Sequence, residues 1–396
     1  MAQRERVLTD CITSSGDTVQ SDKRHGDAAA ATASRVVPVL TTVKSRDVVP
    51  VVPRYPVRAF ERTMELATQR GGDAVANDVA TRAERRAPAG AAARQPTVDE
   101  ALARRRRVLQ IALGVVWLID AALQFQPYMF TRGFVTDALE STAAGNPWLL
   151  YRPMIWADHF MVHGIAGWNV LFATVQLVIA LGLFWRPTVR WALGLSVVWG
   201  VAVWWFAEGF GGVFTGSSPL SGEPGAVLLY VVAAVLVWPS TDRGSATSVA
   251  QRSPWGRGAV ALWVLLWGDF AAYLLAPANR SAEGLRSLVA ATIAGEPGWI
   301  RSLDRELANL VSGRGVVISA MLALVCVAVA LAAFMPSLMR PAAVIGVAFA
   351  AVIWLTQDFG GVLTSQGTDV NSGPLIALLA LTYWPVAANE PRTRLA

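Results

Sequence analysis

The strongest constraint on this chain is a series of apolar runs close to the thickness of a bilayer. The first, "VLQIALGVVWLIDAALQFQP", follows Arg104, Arg105, Arg106 and Arg107. At about 1.5 Å of rise per residue, a run of this length makes one crossing of a hydrocarbon core roughly 30 Å thick. Further runs lie at 160–184, 191–206, 225–238, 259–277, 315–335, 341–356 and 374–384. Backbone polar groups in lipid must be satisfied internally, so such runs fold as helices. The expected fold is all-α, a polytopic membrane protein with eight transmembrane helices. Composition agrees, with 54% hydrophobic residues and 16 Trp and a mean hydropathy of +0.42, above the roughly 45–50% apolar content of soluble domains.

The runs fall into two sets of four that align at an offset of 150 residues. Trp117 matches Trp267, Ala121 and Ala122 match Ala271 and Ala272, and Pro127 matches Pro277. Gly145 and Pro147 match Gly295 and Pro297, Arg190 matches Arg340, and Trp204 matches Trp354. Glu208 then matches Asp358, "FGGV" recurs at offset 149, and the register returns where Pro224 meets Pro374. Agreement over so many rare residues marks an internal repeat. The expected membrane units are 101–240 and 251–388. An even number of crossings per unit gives both copies one orientation, related by a pseudo-twofold axis along the membrane normal.

Residues 1–100 differ in kind, being rich in Arg, Asp, Ala, Ser and Thr with no sustained period, and read as a disordered basic tail. The formal charge of +6 comes almost wholly from Arg, the only Lys being Lys23 and Lys44. This Arg and Ala bias suggests a GC-rich bacterial genome. No nucleic-acid-binding signature accompanies the charge, so the expected neighbours are the lipid bilayer and a protein partner of the tail. Cys11 and Cys326 are not placed to form a structural disulfide. No signal-peptide pattern appears in the first 30 residues, so the first membrane helix does the targeting. Translation starts at Met1 or at a later methionine such as Met64. Arginines 104 to 107, 186, 190, 243, 252, 257, 340, 392 and 394 fall on one side, whereas the loops after the third and seventh runs carry no Arg or Lys. The outer loops at 128–159 and 278–314 carry some Arg without reversing this count. By the positive-inside rule both termini are cytoplasmic, in a multi-pass plasma-membrane protein.

Ionisable residues inside transmembrane helices are costly and face a bundle interior or a water-filled cavity. Asp120 with Gln124, and Asp269 with Tyr273, are pairs four residues apart and so lie on one helix face. Each pair reads either as an interhelical lock or as a solute or proton site. Glu208 and Asp358 each stand 18 residues beyond the last Arg of their helix, about 27 Å along it and near the outer interface. Behind them come "FGGV" and the loops "SSPLSGEPG" and "TDVNSGP". Short Gly/Pro-interrupted runs at matching places in two halves point to a transporter-like binding region; the plainer reading is a tight turn beside a wet carboxylate. Asp120, Glu208, Asp269 and Asp358 are therefore expected to surround an outward-facing acidic vestibule.

One further feature occurs once only. "DHFMVHG" places His159 and His163 four residues apart, with Met129, Met154, Asp158 and Met161 nearby. Two such imidazoles are candidate copper or haem ligands, and the plainer reading is interfacial histidines. No P-loop, nucleophile elbow or Ser/His/Asp order is present, so catalysis is not expected.

Units of four membrane helices with polar residues near their outer ends, and the pattern "GVVWLIDAALQFQP", resemble the DoxX-like membrane proteins. That resemblance implies a small subunit or accessory of a quinone-linked or redox system, and carries over no catalytic residue. The functional expectation is binding or passage of a cation or small solute through the acidic vestibule. The alternatives are a DoxX-like redox or metal-handling subunit and a non-catalytic membrane scaffold.

Overall fold

A reciprocal cap starts the first helix. The Thr97 hydroxyl accepts the N–H of Glu100 while the Glu100 carboxylate accepts the N–H of Thr97, satisfying two of the amides that a helix start leaves open. The computed structural model describes residues 97–215, 224–240, 246–293, 296–356, 359 and 362–386. They belong to the second of two units, Met1–Gly90 and Ala91–Ala396. The expected tail lies outside the described residues as far as residue 96, but its boundary at 100 is corrected: the cap makes residues from Val98 onward helical.

Among the described residues every regular element is helical and none is a strand. The longer helices, in chain order, are α1 (Val98–Leu123), α2 (Trp148–Met161), α3 (Ile165–Phe184), α4 (Val189–Phe206), α5 (Ala226–Leu236), α6 (Gly256–Leu274), α7 (Gly284–Thr292), α8 (Gly298–Val311), α9 (Gly315–Leu331), α10 (Met339–Leu355) and α11 (Ser372–Thr382). Four segments, Ile165–Phe184, Arg186–Phe206, Gly315–Phe334 and Pro336–Leu355, are long and apolar enough to span a membrane. The apolar helices Ala226–Leu236, Gly258–Leu274 and Ser372–Thr382 are shorter.

The run at 160–184 does not fold as one helix. α2 ends at Met161, the chain turns through Val162, His163 and Gly164, and α3 starts at Ile165. Gly164, at φ −148° and ψ 39°, is the weak point, since glycine costs a helix interior about 1 kcal/mol relative to alanine. The stretches between apolar runs that read as loops also fold. One forms a π-helical turn (Phe134–Leu139), a short helix (Glu140–Ala143) and α2 around a satellite core of Met129, Phe134, Val135 and Leu139; the other forms α7 and α8.

Packing follows the chain. α1 packs on α3, α3 on α4 and α4 on α5; α6 packs on α9, α9 on α10 and α10 on α11; α5 and α11 meet, and α11 also touches α1. A single buried cluster runs through these contacts, including Trp117, Leu193, Tyr230, Trp263, Trp267, Phe349 and Leu375. Close approach depends on small residues, as usual between apolar helices. At Gly200 of α4 an added Cβ would stand 2.6 Å from the Val231 side chain of α5.

The arginines at the start of α1 form a collar around the ends of other helices. Arg107 donates to the carbonyls of Leu183 (2.8 Å) and Phe184 (2.5 Å) at the end of α3, and Arg105 donates to Trp384 O (2.8 Å) beyond α11. Arg106 reaches Ser240 O and Arg252 O, and Gln110 reaches Val237 O at the end of α5. Helix C-termini expose unpaired carbonyls with a partial negative charge, which cations satisfy. Arg107→Ala is accordingly expected to lower unfolding free energy in a denaturing-detergent titration by about 1–2 kcal/mol. Arg107→Lys recovers part of the loss, because a point charge still faces the α3 terminus without the planar fork.

Candidate functional site

The site grows out of the turn that ends α4. The N–H groups of Ala207 and Glu208 both donate to Val203 O (2.8 and 3.1 Å), and the chain then reverses through Phe210 (φ 60°) and Gly211 (φ 63°). A left-handed phenylalanine costs roughly 1–2 kcal/mol, and its surroundings hold it there. The Phe210 ring meets Trp204 edge-on at 4.6 Å, and the Trp204 indole donates to Pro224 O at 2.8 Å. The same device ends α10: Phe359 has φ 52°, lies 4.9 Å from Trp354, and the Trp354 indole donates to Val370 O at 3.0 Å.

The turn aims Glu208 at the start of α5. Its carboxylate accepts the Val227 N–H at 3.0 and 3.3 Å, an anion placed where helix amides are open and the dipole is positive. Gly225 leads into this helix at φ 98°, and an added Cβ there would stand 2.3 Å from Glu208 Oε2.

Asp120 is buried in α1, 1% exposed. The Tyr230 hydroxyl of α5 donates to its Oδ2, and the Val370 N–H donates to Oδ1 at 3.2 Å. Gln124 donates to Thr368 O (3.2 Å) and Gln126 to Gly367 O (2.9 Å), so one face of the end of α1 stitches down the segment before α11. That segment carries Asp369, which accepts the Asn371 N–H at 2.6 Å and the Thr368 hydroxyl at 3.0 Å. Burial raises the Asp369 carboxyl above the usual carboxylate range, against the pull of these two hydrogen bonds.

Asp120, Glu208 and Asp369 line one cavity of about 860 Å³. Its walls include Gln124, Gln176 and a group of aromatic side chains from α2, α3 and α4. Gln124 Oε1, Gln176 Oε1 and Trp199 Nε1 are buried and have no hydrogen-bond partner among the described residues. Acceptors and aromatic rings lining one cavity suit a guest that donates hydrogen bonds or carries positive charge, the rings through cation–π attraction.

Of the residues expected from sequence, Asp120, Gln124 and Glu208 come together here. Asp269 and Tyr273 of α6 do not line this cavity; Tyr273 instead has its hydroxyl 3.5 Å from Val213 O. Asp358 lies outside the described residues. His159 is in the last turn of α2 and His163 in the turn beyond it, because the helix ends at Met161. His163 therefore lies outside α2, with its Nδ1 2.8 Å from His159 O. Among the described residues no three His, Cys, Asp or Glu side chains are gathered to hold a metal ion. Asp369, Tyr230 and Gln176 are not among the site residues expected from sequence; the signal for Asp369 is the carboxylate inside "TDVNSGP", a stretch whose glycine and proline already point to a binding region.

A second buried acid stands apart from this cluster. Asp158 on α2 is fully buried, and neither carboxylate oxygen has a hydrogen-bond partner among the described residues. Burial, with Glu140 adding repulsion, pushes its carboxyl up to about 7. The folded chain therefore holds this proton more tightly than the unfolded chain. Its contribution to stability is full below about pH 4 and is lost as pH rises through about 7. Asp304 on α8, beside Glu296, is pushed in the same direction to about 7. Unfolding titrations of Asp158→Asn are expected to match the parent near pH 4 and to be more stable than it at pH 8; equal stability at both would contradict this account of Asp158.

Comparison with protein-family models, with curated proteins and with solved structures finds no match.

Proposed function

We propose that the chain is an integral plasma-membrane protein of eight transmembrane helices whose outward-facing acidic cavity binds a cation or small cationic solute. The observation that carries this reading is the convergence of Asp120, Glu208 and Asp369 on one cavity with aromatic walls. Two tandem four-helix units in parallel orientation are supported by the matched packing order of α1, α3, α4, α5 and of α6, α9, α10, α11. The left-handed phenylalanine turn after α4 and after α10 adds to that support. An outward cavity with cytoplasmic termini is supported by the arginine collar at the opposite end of α1, read by the positive-inside rule. α5 and α11, at about 16 Å each, are too short to cross alone; Glu208 accepts an open amide at the start of α5 and Asn371 one at the start of α11. If the bound solute moves, Asp120 rather than Asp269 is the group placed to couple its movement to a proton.

The test is equilibrium binding of tetramethylammonium to the full chain in lipid nanodiscs. Saturable binding is expected, weakened at least tenfold in Asp369→Asn, a loop variant that keeps a hydrogen-bond acceptor. Binding unchanged in Asp369→Asn and Asp120→Asn would remove the acidic cavity as its site. A DoxX-like redox accessory draws on the same cavity, since Gln124 and Gln176 beside aromatic rings also fit a quinone head. Quinone bound in place of the cation would choose that alternative.

A further inference from the structure

Resting on the cation reading above, we infer that the ligand of this cavity is amphipathic: a monocation whose charged head sits among Asp120, Glu208 and Asp369 and whose apolar tail lies along the aromatic wall of α2, α3 and α4. The cavity, at about 860 Å³, is far larger than a small inorganic cation needs and falls in the range of roughly 300–1,000 Å³ typical for organic ligands.

The wall is a continuous chain of rings. Trp156 stacks on Phe160 at 5.9 Å, Phe160 meets Trp168 at 5.5 Å, Trp168 meets Phe172 at 6.3 Å, and Phe172 meets Trp199 at 5.6 Å. All five line the cavity. On α3, Trp168, Phe172 and Gln176 recur every fourth residue, so they form one stripe roughly 12 Å long. At the far end of that stripe Gln176, 7% exposed, leaves its carbonyl oxygen without a partner among the described residues.

The other end of the chain of rings is open. Trp156 is 69% and Phe160 58% exposed on α2, which packs on α4. Large apolar side chains that are both exposed and cavity-lining mark an entrance that a lipid-dissolved molecule can use. The carboxylates, by contrast, come from α1, the end of α4 and the segment before α11. The carboxylates and the chain of rings thus come largely from different segments, which suits an amphipathic guest better than a hydrated ion.

The experiment compares decyltrimethylammonium, tetramethylammonium and decyl sulfate binding to the full chain in nanodiscs, with empty nanodiscs subtracted for partitioning. The expected result is saturable decyltrimethylammonium binding at least thirtyfold tighter than tetramethylammonium, with decyl sulfate failing to compete. Phe172→Ala is expected to weaken decyltrimethylammonium binding far more than tetramethylammonium binding and so to erase most of that advantage, and Phe172→Leu serves if the alanine variant does not fold. Equal affinity for the two cations overturns this inference and leaves the cation reading standing. No saturable binding of either cation, or equal competition by decyl sulfate, overturns both.

Discussion

Asp120→Leu is expected to lose roughly 3–5 kcal/mol of unfolding free energy, the largest loss of any single replacement at the site. The change strips partners from two buried donors, the Tyr230 hydroxyl and the Val370 N–H, and each unsatisfied group costs about 1–3 kcal/mol. Asp120→Asn keeps an acceptor for Tyr230 and should lose much less, while still weakening cation binding. A denaturing-detergent titration of both variants separates the two roles. Comparable losses for leucine and asparagine would mean that the charge itself, rather than the hydrogen bonds, holds α1 to α5 and to the segment before α11. A double-mutant cycle with Tyr230→Phe then isolates that bond, since replacing both partners is expected to cost less than the sum of the two single changes.

Gly211→Ala is expected to be almost as damaging, by roughly 3 kcal/mol or more. A left-handed alanine costs about 1–2 kcal/mol, and overpacking adds typically 1–3 kcal/mol. The added Cβ would stand 2.1 Å from Pro224 O and 2.4 Å from Gly225 N, both backbone atoms that cannot turn aside. Relief requires the chain before α5 to move, which pulls Val227 away from Glu208. Loss of stability together with loss of cation binding is the expected pair of readouts; an unperturbed Gly211→Ala would contradict the turn geometry.

The apolar runs carry the helical character in the sequence itself, because runs of bilayer length offer the backbone few alternatives. Boundaries were less visible. "TVDE" at residues 97–100 is a capping box written in plain order, yet it sits among polar residues that read as tail, so α1 starts earlier than its apolar run. The stretch from Phe160 to Phe184 is apolar throughout, and only Gly164 hints at the break that hands His159 to one helix and leaves His163 in a turn. Asp120, Gln124 and Glu208 were legible because charge inside an apolar run has few explanations. Asp369 was hidden because its meaning depends on pairing across the chain: the Val370 N–H that Asp120 accepts is 250 residues away. Tyr230 and Gln176 read as ordinary members of apolar helices until their neighbours are known. The repeat in sequence also suggested a symmetric site, whereas the cavity containing Asp120 draws on α1 to α5 and one segment from the second set of helices. Asp120 aligns with Phe270 at offset 150, so the second set does not repeat that carboxylate.

The central claim is that an outward-facing cavity binds a cation at these carboxylates, and side-specific cysteine labelling tests it most directly. Ser141 is exposed and lines the cavity. Ser141→Cys, in a chain with Cys11 and Cys326 replaced by Ser, is treated in right-side-out vesicles with a membrane-impermeant maleimide, with and without tetramethylammonium. The account predicts labelling from outside that tetramethylammonium slows, with the protection lost in Asp369→Asn. Labelling only after the inner face is opened, or a rate indifferent to the cation, would contradict it.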